Sequence, residues 1–519
     1  MIRFESSSRR RILNMLSKLR GPALIWAITL SSGSCYLLFG YDQGVLGGLV
    51  SQPSFLDVIG NPSASFLGTI VALYNVGCLV GCMAAAIWGD RFGRRNTILV
   101  GNAIMIVGAV IQTATYGAGQ LIAGRLISGL GNGLNTSTIP VYVSETARSH
   151  RRGRMVAVQL SIVIFGIVFA YWLDYGTINN LEGEVVWRFP IAFQIVFALI
   201  TMATMPFLPE TPRWLYSHGR KEEAVTVLAR LMDTSEDDDQ VQFIKTEMEE
   251  SLELERQQGS ITLKGILNDK TELKPMRRLL LCFFIQFFQQ FSGVNAVVFF
   301  VTIILEQNVG LSSSTASLAA GFIQMGLWIG TLPTILYIDT FGRRPTLLIG
   351  SAVQLISLVL FTVGIAKHGD GYSNLALAML VLFQITVGMT WCTVPWIYAP
   401  EITPLRLRHI GAAIGPFSEW LCTFIIVQIT PTAVEHTGWK IFLLFILLQA
   451  LSIPWVYFFV PETARKTLEE IDYIFVKGEA RDRLHERMHE QVQGVPQDGK
   501  SEMEVGASQT LELAVPRKE

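Results

Sequence analysis

Apolar residues along this chain collect into tracts of about twenty, with most charged residues confined to the stretches between them. The tracts lie at about 23–48, 65–88, 97–117, 120–143, 155–175 and 188–208, and again at 279–305, 314–337, 346–366, 374–399, 409–431 and 438–460. At about 1.5 Å of helix rise per residue, each can cross a hydrocarbon core of about 30 Å. The pattern predicts an all-α membrane protein of twelve transmembrane helices, arranged as six, a charged linker, and six. Glycine and proline within the tracts are compatible with this, because both are commoner in membrane helices and can sit at breaks that face protein or a cavity. The implied segments are 1–21, a first bundle over 22–208, the linker 209–278, a second bundle over 279–460, and a tail 461–519 whose polar composition after 476 predicts disorder. Within the linker, Lys221-Glu222-Glu223-Ala224 with Leu228, and Phe243 through Leu254, carry the spacing of surface-lying amphipathic helices, with Ser235 to Asp239 as the break.

Composition agrees: half of the 519 residues are hydrophobic and 16% are charged, against about a quarter charged in an average soluble domain. The net charge of −1 says little, but its placement gives an orientation. Arg91, Arg94 and Arg95 follow the second tract, Arg148, Arg151, Arg152 and Arg154 the fourth, Arg343 and Arg344 the eighth, Arg406 and Arg408 the tenth. The alternate loops carry mostly acids, namely Asp57, Asp174, Glu182, Glu184, Asp370 and Glu435, with Lys367 the exception. Positive charge prefers the cytoplasmic side, which places both termini and the linker there. The first tract lacks the short apolar region and small-residue cleavage site of a secretory signal and reads as a retained helix.

Several chemistries are excluded. The six cysteines (Cys35, Cys78, Cys82, Cys282, Cys392, Cys422) all fall in apolar tracts and read as free packing thiols, with neither zinc spacing nor a disulfide framework. Glycine-rich stretches at 40–48 and 129–133 lack the strand and lysine of a phosphate loop and suit close helix contacts instead. No nucleophile elbow, metal set or nucleic-acid patch is present, so no enzyme and no nucleic-acid partner is expected. Without an ATP-binding domain, only solute and ion gradients remain as energy sources. The sequon at Asn135-Thr136-Ser137 lies inside the fourth tract, which should hide it.

The two halves repeat. Gly89-Asp90-Arg91-Phe92-Gly93-Arg94-Arg95 is matched by Ile338-Asp339-Thr340-Phe341-Gly342-Arg343-Arg344, Val141-Tyr142-Val143-Ser144-Glu145 by Ile397-Tyr398-Ala399-Pro400-Glu401, and Pro209-Glu210-Thr211-Pro212-Arg213 by Pro461-Glu462-Thr463-Ala464-Arg465. Three matches in one order imply two related six-helix bundles, with a central cavity where they meet. Beside Asp90 and Asp339, the acids Glu145, Glu210, Glu401 and Glu462 are candidate acceptors for Arg94, Arg95, Arg152, Arg213, Arg343, Arg344 and Arg408. Such charge-assisted contacts can form a gate on the cytoplasmic side, or the arginines can simply set topology.

These loops, with Gly124-Arg125 opening the fourth tract, Gln289-Gln290-Phe291-Ser292-Gly293-Val294-Asn295, and Pro461-Glu462-Thr463 followed by Leu468-Glu469-Glu470-Ile471-Asp472, resemble the sugar-porter family of the major facilitator superfamily from about residue 22 to 476. Phe39-Gly40-Tyr41-Asp42-Gln43-Gly44, Gly133 through Pro140 and Trp396-Ile397-Tyr398 are similar to its fungal branch, which includes the yeast glycerol/proton symporter and hexose transporters. The resemblance implies the major facilitator fold, moving a monosaccharide or polyol by alternating access at a cell membrane; a monomer in the plasma membrane is the expectation, with an internal membrane the alternative. No cofactor is implied beyond a coupling proton.

An ionisable residue inside a membrane helix is a functional hypothesis by default. Residues matching Asp42 and Arg125 act in proton-coupled relatives as carrier and charge partner, although passive facilitators also carry the acid, and a static buried pair is the alternative. Gln289, Gln290, Asn295 and Trp396 match family positions that line the cavity; packing between helices is their alternative role. Gln289 and Gln290 lie about 100° apart on a helix, while Asn295 can return to a similar face.

The cavity departs from the family pattern. Leu160, with Gln159 adjacent, replaces a glutamine, Leu327 an asparagine, Phe299-Phe300 a tyrosine pair, Glu419 an asparagine before Trp420, and Thr423 another asparagine. Loss of amides and gain of an acid favour a small polyol, a less hydroxylated sugar or a ligand bearing a cation. Glu419 can contact the solute, titrate as a second proton site, or pair with an arginine. Two rivals remain, a proton-independent facilitator and a sensor that binds sugar without moving it; family sensors carry a long cytoplasmic tail, and the roughly 45 residues after position 475 favour transport.

Overall fold

The computed structural model describes residues 19–146, 152–258, 274–367, 369–403 and 408–464, with 466, 471, 474 and 475. Among the described residues there is no strand. The first half contains α1 (Gly21–Leu49), α2 (Ala64–Phe92), α3 (Arg94–Thr113), α4 (Ala118–Thr146), α5 (Arg152–Asn180) and α6 (Val185–Thr204). The second contains α7 (Pro275–Gln289 continuing as Asn295–Ile304), α8 (Ser313–Phe341), α9 (Arg343–Ala366), α10 (Asp370–Met389 continuing as Val394–Ile402), α11 (Arg408–Thr437) and α12 (Ile441–Phe459). Among the described residues, ten stretches are long and apolar enough to span a membrane by length and composition; one of them, Ala413–Phe459, holds most of α11 and all of α12. The remaining helix, α4, buries Arg125, Ser128, Asn132, Asn135 and Thr136. Its polarity is tolerated because those side chains face protein rather than lipid.

Between the halves, Pro212–Ser217, Lys221–Met232 and Asp239–Gln258 form short helices. Lys221–Met232 turns Ala224, Val227, Leu228 and Leu231 inward and stops at Asp233, whose φ of 61° is left-handed. Arg230 ties this segment to the start of α1 through the Leu19 carbonyl at 3.3 Å. We call the side where this segment lies the linker end, and the opposite side the far end.

Glycines let α2 and α4 touch backbone to backbone: a Cβ at Gly129 would lie 2.2 Å from the Tyr74 carbonyl oxygen, and one at Gly77 2.4 Å from that of Leu126. The helix α7 is broken by a π turn over Gln290–Val294, where Gly293 has a φ of 95°. The halves meet along α1 with α7, α2 with α11, and α5 with α8. Hydrogen bonds across that seam include Thr302 to the Gly47 carbonyl (2.7 Å), Tyr171 to the Val298 carbonyl (2.7 Å), Gln428 to Thr69 (2.9 Å) and Ser314 to Asn179 (3.3 Å). All four lie toward the far end, which is closed; Ser161 and Thr331 (2.8 Å) pair nearer the linker end.

One charge sits elsewhere than its pattern suggested. Helix α5 runs on to Asn180, so Asp174, read from sequence as a loop acid, lies within the helix and is 1% exposed. Asp57, Glu182, Glu184 and Glu435 are exposed. Asn135 of the sequon is buried, and all six cysteines are free and buried.

Candidate functional site

Asp42 on α1 and Arg125 on α4 meet in the first bundle, Nη1 to Oδ1 at 3.0 Å, with both side chains fully buried. The guanidinium also donates to the Val71 carbonyl at 3.4 Å and lies 4.3 Å from the centre of the Tyr74 ring. Arg125 Nε has no hydrogen-bond partner among the described residues, and the Tyr74 hydroxyl lies against the Asp42 carboxyl.

Tyr74 leads across the seam. Its ring lies 6.3 Å, edge to face, from Trp420 of α11, which also packs on Phe39 of α1 at 5.4 Å. Glu419, the neighbour of Trp420, is 7% exposed with Oε2 unpartnered, within electrostatic range of Tyr36 on α1 and Cys82 on α2. The site therefore has an acid contributed from each half, bridged by two aromatic rings.

The π turn in α7 organises the amides. By opening the helix at 290–294 it brings Asn295 back onto Gln290, its Nδ2 donating to Gln290 Oε1. Asn295 also donates to Thr423 of α11 at 3.0 Å, and Thr423 donates to Gln290 Oε1 at 3.2 Å. Among the described residues no hydrogen bond joins Gln289 to this triad and its Oε1 is unpartnered, while Gln159 on α5 is 1% exposed with Nε2 unpartnered. Buried polar atoms in native proteins nearly always find partners; a polyhydroxylated solute or water is what these could accept. Trp396 is half-buried and, among the described residues, neither a hydrogen bond nor a ring stack joins it to the triad.

At the linker end the acids of the repeated motifs act differently from simple arginine acceptors. Glu210 receives the backbone N–H groups of Arg94 (3.1 Å) and Arg95 (3.0 Å), capping α3, and Glu462 receives those of Arg343 and Arg344 (both 2.9 Å), capping α9. A carboxylate suits a helix N-terminus, where free N–H groups and the helix dipole both favour negative charge. Burial nevertheless holds the Glu210 carboxyl above the ordinary carboxylate range, against the pull of the Thr211 and Arg95 N–H groups.

The arginine side chains take other partners. Arg94 reaches Asp90 (2.8 Å) and Glu145 (3.4 Å), and Arg343 grips Glu401 with two hydrogen bonds at 2.6 and 3.2 Å. Arg95 and Arg344 donate to the carbonyls of Leu208 and Tyr457, and Arg213 is half-buried. These described pairs stay within one half. The side chains of Arg152, Asp339 and Arg408 lie outside the described ones.

Residues 26–475 match the sugar (and other) transporter family. The chain belongs to this family. The transporter is 35% identical over 463 residues to an MFS-type transporter, oryC, of Aspergillus oryzae, covering 88% of this chain and 86% of that one. It is 34% identical over 473 residues to the sugar transporter STL1 of Saccharomyces cerevisiae, covering 89% and 83%. Its fold superposes on the E. coli proton:xylose symporter XylE with a TM-score of 0.73 at 25% identity, over 87% of this chain and 99% of that one. It therefore has the all-α major facilitator fold and is a multi-pass membrane transporter rather than an enzyme. Of the residues singled out from sequence, the transporter brings together Asp42 with Arg125, and Gln290 with Asn295 and Thr423. Tyr74 was not among them, because a tyrosine in an apolar tract carries no signal until packing sets a cation on its face.

Proposed function

We propose that this transporter carries a monosaccharide or polyol by alternating access, in symport with protons. The observation that supports it best is the Asp42–Arg125 pair, fully buried and joined through Tyr74 and Trp420 to the second half next to Glu419. Protonating Asp42 would release Arg125, and any rocking of the halves that moves Trp420 would disturb the ring beneath that guanidinium. Charge and conformation would then change together, which is what coupling requires. The names of the yeast sugar transporter and of the bacterial proton:xylose symporter are in keeping with this reading. Glu419, where the family pattern carries an amide, replaces a fixed donor-acceptor group by a carboxyl that can receive hydroxyl donors, which is in keeping with a small polyol.

Both termini and the linker would face the cytoplasm, given the arginines at 91–95 and 343–344. The capped corners at the linker end would move as rigid parts of the gate. No cofactor beyond the proton is needed.

The test is uptake of labelled glucose, xylose, glycerol and erythritol by purified protein in liposomes, with and without an inward proton gradient. We expect one of these to accumulate above equilibrium only with the gradient, and Asp42→Asn to lose accumulation while still binding solute. The facilitator reading is favoured by how firmly Val71 and Tyr74 also hold Arg125; equilibration unchanged by pH and by Asp42→Asn would establish it. Saturable binding without flux would instead identify a sensor.

A further inference from the structure

Asp174 is used by nothing described so far. It lies in α5, one turn beyond Tyr171, and is 1% exposed. Neither carboxyl oxygen has a hydrogen-bond partner among the described residues. It presses against α1: a Cβ at Gly48 would lie 2.3 Å from Asp174 Oδ2. Both neighbours of this contact belong to the far-end seal, since the Gly47 carbonyl accepts from Thr302 and Tyr171 donates to the Val298 carbonyl.

The groups around it offer no countercharge. From α1 comes Tyr41, whose hydroxyl donates to the Pro190 carbonyl. From α5 itself comes Tyr171, beside the uncharged Gln324 of α8. On α6, Arg188 is bound to the carbonyls of Thr113 and Thr115 and to Glu184. On the α7 side the ionisable group is another acid, Glu306, next to Ser51 and Ser313. Among the described residues no ion pair reaches Asp174.

An ionised carboxylate in such a place has neither cation nor hydrogen bond to offset its desolvation, and a buried group in that position neutralises instead. We infer that Asp174 is a second proton-binding site, distinct from Asp42, which holds its proton while the far end is closed and releases it when that end opens to water. Asp42 differs in having Arg125 beside it, a countercharge that Asp174 lacks among the described residues. The linkage follows in sign. Closure binds a proton at Asp174, so low pH favours the closed far end and rising pH favours the open one. The site rests on the transporter reading only for its role in the cycle; the protonation stands on the closed structure itself.

Infrared spectroscopy of the protein in liposomes reads protonated carboxyls directly through their C=O stretch. At neutral pH, Asp174→Asn should lose one such band that both Asp42→Asn and Glu419→Gln retain. Spin labels at Asn179 and Ser314, across the far end, should separate in the otherwise unaltered protein as pH rises and stay close in the Asp174→Asn background. Asn is nearly isosteric with a neutral, unpartnered acid, so this variant should fold, as judged by monodisperse elution and helix content. An unchanged infrared spectrum, a label separation that follows pH as before, or failure of Asp174→Asn to fold while Asp174→Glu does so would each overturn the assignment. None of these readouts requires transport or a known solute, so they fail independently of the symport reading.

Discussion

The buried pair is asymmetric in a way that stability can report. Asp42 can take up a proton and become neutral, whereas arginine remains charged at any pH at which a protein survives. Asp42→Asn therefore strands a cation in the core of the first bundle, leaving it the Val71 carbonyl and the Tyr74 ring. Breaking a buried pair in this way costs on the order of 3 kcal/mol. Arg125→Gln strands a carboxyl that can neutralise, so its loss should be clearly smaller. Thermal unfolding of the two variants at neutral pH checks the order; equal losses would mean that the pair is solvated in the membrane-embedded protein. In Arg125→Gln the remaining stability depends on protonation, so it should fall as pH rises, while Asp42→Asn should show no such slope from this site.

Helices were legible because their length is dictated by the bilayer and their ends by where charge begins. Misreading arose where those two cues separate. Asp174 looked like a loop residue because charge usually marks a helix end, yet α5 continues past it to Asn180. The π turn was hidden for a related reason: Gln289 to Asn295 has the composition of a helix, and only Gly293, at a φ of 95°, gives the break away. The amides of the triad were visible as residue types, but their convergence depends on that turn. The linker-end motifs were visible as arginines and acids, while the capping role depends on how Glu210 and Glu462 fold back onto α3 and α9. It also explains their glycines. At Gly93 and Gly342 the φ values are 83° and 95°, and a Cβ would lie 2.6 Å from Glu210 Oε2 and 2.7 Å from Glu462 Oε2. Gly93→Ala should thus combine left-handed strain with displacement of a cap, destabilising by about 2 kcal/mol. Gly89→Ala, four residues earlier with open space around it, should be nearly neutral, and comparing their melting temperatures separates the cap from general helix effects.

At the scale of the molecule, the seam is hydrogen-bonded toward the far end. Any cycle that opens the far end must part Thr302 from Gly47, Tyr171 from Val298 and Gln428 from Thr69. Fixing that end should therefore stop turnover. Cysteines introduced together at Asn179 and Ser314, whose side chains are 3.3 Å apart, should cross-link and abolish solute uptake, and a reductant should restore it. The six native thiols are buried, so the background should be low. Full uptake by the cross-linked protein would mean that this edge does not part.

The matched caps on α3 and α9 carry a historical meaning as well. Each is assembled wholly from its own half, with the same glycine, the same pair of backbone donors and the same Pro-Glu-Thr acid. The hydrogen bonds of each cap come from one six-helix half alone. An ancestral polypeptide of half this length could already have closed its corner in this manner, before duplication freed one copy to keep the buried ion pair and the other to acquire the amide triad.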